Sequence, residues 1–397
     1  MRNLVIIFHD AGGGHRSTAD ALRSALANQS EPWDVSLLNL QELLDSFDVA
    51  RKLTGVRVQD AYNQILRRGW TRLTPQLLAV FQRTIRLYHH RIVRTLKGYW
   101  AEHPTELVMS VIPHFNRALS ESLGGSGTRP PFVTLITDLA DYPPHFWIEK
   151  ESGYVIAGTR RAKEQALDGG LAADHVFLTS GMVLKPSFYQ PIVVDVTAER
   201  QRFGLDPELT TGIVLFGGHG SRAMIDIVEG LDRTSARLQL ILLCGHNHIL
   251  ADELRHLQTR IRLCVQEFTP RVEHFMALGD FFIGKPGPGS ISEALQMSLP
   301  LIVECNSRTL PQERYNAEWL TENGYGTVVT NFREIGLCVG EMLKPERLGQ
   351  LRRNVSAYSN RALLEVPQIL EECWNARWGI LRARIPAVTA AAELARA

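Results

Sequence analysis

Short runs of apolar residues alternate with segments of helical period along both halves of the chain. The runs are rich in Val, Ile and Leu and lack polar alternation, which is typical of strands buried on both faces of a sheet. The pattern therefore predicts an α/β protein in which helices cover parallel sheets. The predicted strands are Asn3–Phe8, Asp34–Leu40, Glu106–Ile112, Phe132–Asp138, His175–Thr179, Ile213–Phe216, Leu238–Cys244, Ile261–Gln266, Asp280–Gly284, Leu301–Glu304 and Gly326–Thr330.

A chain of 397 residues is too long for one ordinary core. We predict two Rossmann-like domains, each built on a doubly wound parallel sheet. The segment Lys185–Pro207 holds three prolines, shows little periodicity and is interpreted as the linker between them. The late helical segment Leu363–Ile385 would bury its apolar stripe by packing back across the domains. The predicted divisions are residues 1–188, 189–365 and 366–397.

Charge is distributed unevenly along the chain. The formal net charge of +1 excludes a bulk polycation built for nucleic acid. Residues 51–100, however, hold eleven Lys or Arg against one acid and form a basic helical insert in the first domain. Such a segment could lie on an anionic lipid surface or could be a long core helix with a solvated basic face. RNA binding is disfavoured, since no RNA-binding module is visible.

The cysteines and the short apolar runs indicate the cellular compartment in which the protein is expected. The five cysteines are odd in number and form no Cys-x-x-Cys pair, which favours reduced, buried thiols. The apolar run at Leu4–Phe8 is far shorter than the ~20 residues of a membrane span, and no longer one occurs elsewhere. We therefore expect a cytosolic protein, or one that lies on a membrane without crossing it.

The first predicted strand runs into a glycine-rich loop, Gly12-Gly13-Gly14-His15-Arg16, before a helix that should start near Ser17. Glycines let a ligand approach the backbone closely, and a helix start offers free N–H groups. The spacing matches neither the dinucleotide fingerprint nor the P-loop. At a helix start the macrodipole lowers the pKa of His15, which suits a general base. A turn-capping role for His15 stays equally open at this point.

Two later loops repeat the order strand, glycine loop, helix. The loop Gly217–Ser221 follows one strand, and Gly284–Ser290 precedes a helix predicted to begin near Ser290, whose N–H groups could hold a diphosphate. Glu293 in the first turn could accept hydrogen bonds from ribose hydroxyls, although Ser290-x-x-Glu293 is also a capping box. Further on, Gln312 and Glu313 could bind sugar hydroxyls or simply form a solvated helix start.

Together, the segments at 12–16, 285–294 and 312–316 resemble glycosyltransferase family 28, in the branch of the monogalactosyldiacylglycerol synthases and diacylglycerol glucosyltransferases. Further segments follow in the order of that branch, so the resemblance covers nearly the whole chain. They are Thr137-Asp138-Leu139, Gly181–Phe188, Cys244–Asn247 and Glu267–Thr269.

The resemblance implies a GT-B fold, with the two domains facing a cleft, and inverting transfer from a UDP-sugar to a lipid hydroxyl. By matching motif, His15 would be the catalytic base, Glu293 would bind the ribose, and Phe268 would lie against the uracil. No metal or other cofactor is expected, because helix N-termini and cationic side chains neutralise the leaving diphosphate in this fold. The donor-binding residues would be Gly14, Gly217, Gly218, Asn247, Phe268, Gly287, Pro288, Gly289, Ser290, Glu293, Gln312, Glu313 and Asn316.

The chain departs from the family on the acceptor side. After Thr137-Asp138, Pro143-Pro144 intervene, and the expected His and Trp come later, as His145 and Trp147. Lys185 stands where the family has an arginine. Given a lipid acceptor, we expect the acceptor or membrane side to include Arg83, Arg86, Arg91, Arg94, His145 and Trp147.

The resulting hypothesis is a hexosyltransferase that makes a glycolipid from a UDP-sugar and diacylglycerol at the cytoplasmic face of the cell membrane. Its partners would be the donor, the lipid acceptor and an anionic membrane surface, with no nucleic acid. The alternatives are a UDP-sugar epimerase of the same fold, a transferase for another lipid-linked acceptor, and a sugar-nucleotide sensor without turnover. The sequence indicates neither the hexose nor the oligomeric state.

Overall fold

The computed structural model describes residues 2–10, 13–44, 74–124, 129–150, 153–234 and 237–376. They contain two six-stranded sheets in which every strand pair is parallel. The prediction of an α/β protein with two parallel sheets is confirmed. The strands are β1 Arg2–Phe8, β2 Trp33–Asn39, β3 Leu107–Ser110, β4 Phe132–Leu135, β5 Tyr154–Ala157, β6 Val176–Leu178, β7 Thr210–Leu215, β8 Leu238–Leu243, β9 Arg262–Gln266, β10 Phe281–Gly284, β11 Leu301–Glu304 and β12 Gly326–Val329.

Helices connect the strands and cover the sheets, as parallel pairing requires. They are α1 Gly14–Ala27, α2 Leu40–Leu44, α3 Thr74–Glu102, α4 Asn116–Ser122, α5 Arg160–Asp168, α6 Val196–Arg202, α7 Ala223–Asp232, α8 His248–Arg255, α9 Val272–Met276, α10 Pro288–Gln296, α11 Pro311–Glu322, α12 Ile335–Met342, α13 Pro345–Ser356 and α14 Ala362–Ala376, with 3-10 turns at Ala173–His175, Pro186–Tyr189 and Phe332–Glu334.

The strand orders place a switch point in each sheet. The first sheet has the order β2-β1-β3-β4-β5-β6, so the chain leaves β1 to one side and returns to the other as β3. The second has the order β12-β11-β10-β7-β8-β9, with the same reversal between β7 and β10. Ligands of open α/β sheets bind at the carboxyl ends of strands beside such reversals. The glycine loops after β1, β7 and β10 all lie there.

All the predicted strands are present, and one further strand was missed. β5 has only four residues, Tyr154–Ala157, and pairs in parallel with β4 and β6. Val155, Ile156 and Ala157 are fully buried. A four-residue apolar run is too short to show a period, and only pairing with both neighbours makes it a strand.

The predicted linker is partly wrong. Within Lys185–Pro207 lies α6, whose Arg200 is buried and donates through Nε and Nη2 to the carbonyl of Leu278. Arg200 Nη2 also lies 2.9 Å from Asp280 Oδ2. This part of the segment therefore packs against the second sheet. The predicted domain divisions themselves stay predictions.

The late helix α14 buries its apolar face against the first sheet. Leu363, Val366, Leu370 and Cys373 belong to one core cluster with side chains of β1 and α1. The predicted helical segment extends to residue 385, but α14 ends at Ala376, and residues 377–385 lie outside the described residues. All five cysteines lie in described residues and carry free thiols; three are buried and two half-buried.

The basic insert is helical over its described part, which is α3; residues 51–73 lie outside the described residues. Ile92 and Leu96 are buried in a core cluster with residues of β1 and β3. Among the helices of the described residues, none combines the length and apolarity that crossing a membrane needs.

Candidate functional site

The carboxyl ends of both sheets meet at one cleft. Tyr142, from the loop after β4, contacts Tyr315 of α11 with ring centroids 5.4 Å apart. Asp138, from the same loop, lies within electrostatic range of Lys285 and Glu313 of the second sheet. The two switch points are therefore close enough to act on one ligand.

His15 occupies the first turn of α1, which starts at Gly14 rather than near the predicted Ser17. The residue before the helix, Gly13, has φ 82°, a left-handed conformation that favours glycine. No side chain of the described chain caps α1, so the turn-capping role of His15 is excluded. Instead, His15 Nδ1 lies 3.1 Å from Thr137 Oγ1.

The imidazole of His15 is neutral. Burial, and then the neighbouring His9, lowers its pKa to about 3, while a hydrogen bond to the Val111 carbonyl opposes the shift. The predicted direction of this pKa shift is confirmed, but its main cause is burial rather than the helix dipole. The His15 ring contacts His9, with centroids 4.7 Å apart, and lies 5.9 Å from that of Trp147. A carbonyl can only accept, so it fixes one ring nitrogen as N–H and leaves the other able to take a proton.

Asp138 is a site residue that the sequence analysis missed. It follows β4 and is buried, and Trp147 Nε1 donates to its Oδ2 at 2.8 Å. Burial raises the pKa of Asp138 to about 7, with Glu313 adding to the shift and Lys285 opposing it. An acid directly after a buried strand was the available signal, because such positions lie at the carboxyl edge of the sheet.

The loop after β4 is held by one carboxylate. The backbone N–H groups of His145 and Trp147 donate to the carboxylate of Asp141 at 3.0 and 2.6 Å. His145 is exposed, but Trp147 is fully buried in the wall of the cleft. Trp147 therefore cannot contact a membrane surface, and the membrane half of its prediction is wrong.

The glycine loop after β7 packs against the loop after β8. Gly217 has φ 76°, and a side chain on Gly245 would collide with the carbonyl of Gly218. No atom lies within 4 Å of the Cβ position of Gly14, Gly218 or Gly289 in the described chain, which leaves room for a ligand. These positions are consistent with the predicted approach of a diphosphate.

Two residues of the predicted donor site lie beside this loop. Asn247 caps α8: its side chain accepts from Leu250 N and donates to the His219 carbonyl, so its amide already has a structural role. Phe268 stacks on His246 with centroids 4.1 Å apart and planes 14° from parallel. It remains 56% exposed, which makes it available to a planar base.

The helix after β10 differs from its prediction. α10 begins at Pro288, with Gly287 as its N-cap, so Ser290 is its third residue and Glu293 lies in the second turn. No side chain in the described ranges caps this helix, which excludes the capping-box interpretation of Ser290 and Glu293. The first N–H groups of α10 are therefore available to a ligand.

Glu293 is half-buried, and burial raises its pKa to about 7, with Lys185 opposing and Glu273 adding to the shift. The folded protein therefore holds protons on Glu293 and Asp138 that the unfolded chain loses near pH 4.

We expect the free energy of unfolding to fall by a few kcal/mol as the pH rises from about 5 to about 8, because the folded state binds more protons across that window. Chemical denaturation at both pH values measures this. Glu293→Gln should flatten the dependence. A wild type that becomes more stable with rising pH in this window contradicts the assignment.

The start of α11 carries the remaining predicted donor residues. Glu313 is buried, and its Oε1 lies 2.8 Å from Lys285 Nζ. Asn316 is fully buried and donates to the Pro286 carbonyl at 2.7 Å, which joins α11 to the loop before α10. The buried Gln312 Oε1 and Asn316 Oδ1 accept no hydrogen bond from the described residues. Buried polar atoms are usually satisfied, so each of these oxygens has capacity to accept from a ligand hydroxyl or a water molecule.

The cleft thus combines a neutral imidazole, a buried carboxyl and glycine-lined helix starts, a set suited to proton transfer beside a bound anion. Within the described ranges, no three His, Cys, Asp or Glu side chains come together as a metal site would need. The predicted absence of a metal stays a prediction.

Comparison with known proteins identifies relatives of the chain. Residues 212–336 match the model of the glycosyltransferase family 28 C-terminal domain. Monogalactosyldiacylglycerol synthase 1 of Arabidopsis thaliana is 25% identical over 362 residues, covering 87% of this chain and 65% of that protein. The chain thus spans about two thirds of this relative. The spinach monogalactosyldiacylglycerol synthase is also 25% identical, with 87% of this chain and 67% of the relative covered.

Solved structures share the fold. MurG of Acinetobacter baumannii superposes with a TM-score of 0.63 at 12% identity, covering 94% of this chain and all of that one. Staphylococcus aureus MnaA in complex with UDP superposes with a TM-score of 0.62 at 15% identity, covering 97% of this chain and 99% of the other. The predicted GT-B fold is confirmed.

Proposed function

We propose that the chain, in which residues 212–336 match the model of the glycosyltransferase family 28 C-terminal domain, transfers a hexose from a UDP-sugar to the hydroxyl of diacylglycerol, with inversion at the anomeric carbon. The observation that carries the proposal is a neutral His15 at the carboxyl edge of the first sheet, together with glycine-lined helix starts at the carboxyl edge of the second. The choice of diacylglycerol as acceptor is supported by the similarity of the chain to monogalactosyldiacylglycerol synthases.

In this mechanism His15 takes the proton of the acceptor hydroxyl as that oxygen attacks the anomeric carbon. The base must be neutral to do so, which its burial ensures. A diphosphate leaving group nearby raises the pKa of the imidazole as charge develops, because an opposite charge favours the protonated form. Because His15 is already neutral, it does not have to lose a proton before the acceptor hydroxyl attacks.

The second sheet holds the donor. The N–H groups of Gly289 and Ser290 at the start of α10 bind the diphosphate, supported by the Lys285 ammonium. The amide oxygens of Gln312 and Asn316 accept hydrogen bonds from hexose hydroxyls. Glu293 accepts from the ribose. These groups suffice without a metal ion, so we propose that the reaction tolerates a chelator.

The exposed face of α3 is the proposed membrane surface, at the cytoplasmic face of the cell membrane. Arg83, Arg86, Arg91 and Arg94 are exposed along the helix, and Leu87 between them is 80% exposed. Basic residues with an exposed apolar side chain on one helix fit an anionic lipid surface. Each arginine near such a surface contributes about 1 kcal/mol.

Replacing Arg83, Arg86, Arg91 and Arg94 by glutamine should abolish co-sedimentation with anionic vesicles, since about 4 kcal/mol of attraction is lost. Added salt should weaken wild-type binding in parallel. The matched control removes four exposed arginines of the second domain and should bind as the wild type; it replaces Arg237, Arg262, Arg347 and Arg353 by glutamine. Equal binding by all three proteins would remove the membrane role of α3.

A UDP-sugar epimerase is the second candidate. The UDP-N-acetylglucosamine 2-epimerase described for Listeria monocytogenes superposes with a TM-score of 0.59 at 14% identity over 96% of this chain, which shows a shared fold alone. The test incubates the protein with labelled UDP-hexoses and diacylglycerol vesicles. Label in the organic phase supports the transferase, whereas an altered hexose still on UDP supports the epimerase.

A further inference from the structure

Asp138 is next in sequence to the residue that contacts the proposed base, but its own carboxyl is hydrogen-bonded to Trp147. It directly follows Thr137, whose hydroxyl meets His15 Nδ1, yet its own Oδ2 accepts from Trp147 Nε1 at 2.8 Å. Oδ1 accepts no hydrogen bond from the described part of the chain. Half of this buried carboxyl is therefore still available for a partner.

The groups opposite Asp138 come from the second sheet. Glu313 and Lys285 of the second domain, and Asp141 of its own loop, lie within electrostatic range of Asp138. Glu313 is engaged with Lys285, with Oε1 and Nζ 2.8 Å apart. Burial and the like charge of Glu313 both disfavour the ionised form of Asp138, so a hydroxyl donor near its carboxyl would stabilise that form.

A hexose supplies such donors. Gln312 Oε1 and Asn316 Oδ1, which also lack partners in the described residues, belong to the helix that carries Glu313. Because Glu313 of the same helix acts electrostatically on Asp138, a sugar bound at the start of α11 would be near the first domain. Its hydroxyl groups can donate to oxygens on both sides of the cleft.

We propose that Asp138 Oδ1 binds a hydroxyl of the donor hexose from the first domain, so that both domains recognise the transferred sugar. The inference rests on the proposed function, because it requires a UDP-hexose in the cleft. Recognition of UDP itself stays with the second domain, through α10. Asp138 then raises affinity for the intact donor without affecting that for free UDP.

Asp138→Asn tests this, since the amide oxygen can still accept from Trp147 while the amide nitrogen replaces the second acceptor oxygen. Calorimetry should show unchanged affinity for UDP and a loss of about tenfold or more for the preferred UDP-hexose. The control Asp168→Asn, at an exposed carboxylate near the end of α5, should change neither.

The monodeoxy derivatives of the same UDP-hexose locate the contact. One of them should bind wild type about tenfold or more weakly, and the substitution should cost nothing further with that derivative. Equal losses for UDP and UDP-hexose in Asp138→Asn, or full wild-type affinity for every deoxy donor, overturn the inference. The measurement with deoxy donors uses the wild-type protein alone, so it does not depend on whether a variant folds. A wild type that binds UDP-hexose but transfers none to lipid contradicts the proposed function instead.

Discussion

Replacing His15 by alanine is expected to lower kcat by about a hundredfold or more, because a positioned base contributes ~10²–10⁴-fold. Affinity for UDP should stay near the wild-type value, since His15 lies on α1 and the proposed diphosphate site lies on α10. Single-turnover transfer and calorimetry with UDP measure the two quantities. The matched control is His256→Ala at the exposed end of α8, which should leave both unchanged.

The other histidines of the cleft are alternative candidates for the catalytic base. His9 and His114 are also neutral, because burial lowers their pKa values to about 4 and about 3. Near-normal turnover by His15→Ala, together with loss in His9→Ala, His219→Ala or Asp138→Asn, would show that the base is misassigned. Since the His15 pKa is about 3, any fall in kcat between about pH 8 and 6 should persist in the variant.

At about pH 8, where most Glu293 side chains are ionised, Glu293→Gln is expected to weaken UDP binding about tenfold or more, because charge-assisted hydrogen bonds contribute about 1.5–3 kcal/mol each. The free energy of unfolding should increase, whereas the affinity for UDP falls. The buried carboxyl has a pKa of about 7 and destabilises the fold once ionised, so the variant should be more stable than wild type at about pH 8. Calorimetry with UDP and chemical denaturation measure both effects.

The opposite signs make this test specific. Ser290 is not the N-cap of α10, so loss of a capping box cannot explain weaker binding. A matched change at an exposed carboxylate, Glu318→Gln on α11, should alter neither quantity. Reduced stability at every pH with unchanged UDP affinity would assign Glu293 a structural role.

Much of the architecture could be predicted from the sequence. Fully buried parallel strands are continuous apolar runs, and the loops with Gly13, Gly217 and Gly287 follow them at the carboxyl edge. The order of elements therefore places His15, Gly289 and Gln312 at one cleft without any tertiary information. This is why the fold and the general position of the site were accessible.

The details that failed depend on tertiary contacts. The N-cap of α10 is Gly287, which lies beside Lys285 and Glu313, whereas the sequence pattern placed the helix start near Ser290. β5 becomes a strand because β4 and β6 flank it. Asp138 is recognisable as a site residue only when its Trp147 contact and the opposite charges are known.

The most direct test of the central claim is the product itself. Wild-type protein is incubated separately with UDP-galactose, UDP-glucose and UDP-N-acetylglucosamine over vesicles that contain diacylglycerol, and the lipid product is examined by mass spectrometry and NMR. The account predicts a glycosyl diacylglycerol with a β anomeric carbon, formed together with an equal amount of UDP from at least one donor. Recovery of only unreacted, epimerised or hydrolysed sugar, with no glycolipid from any donor, would contradict it.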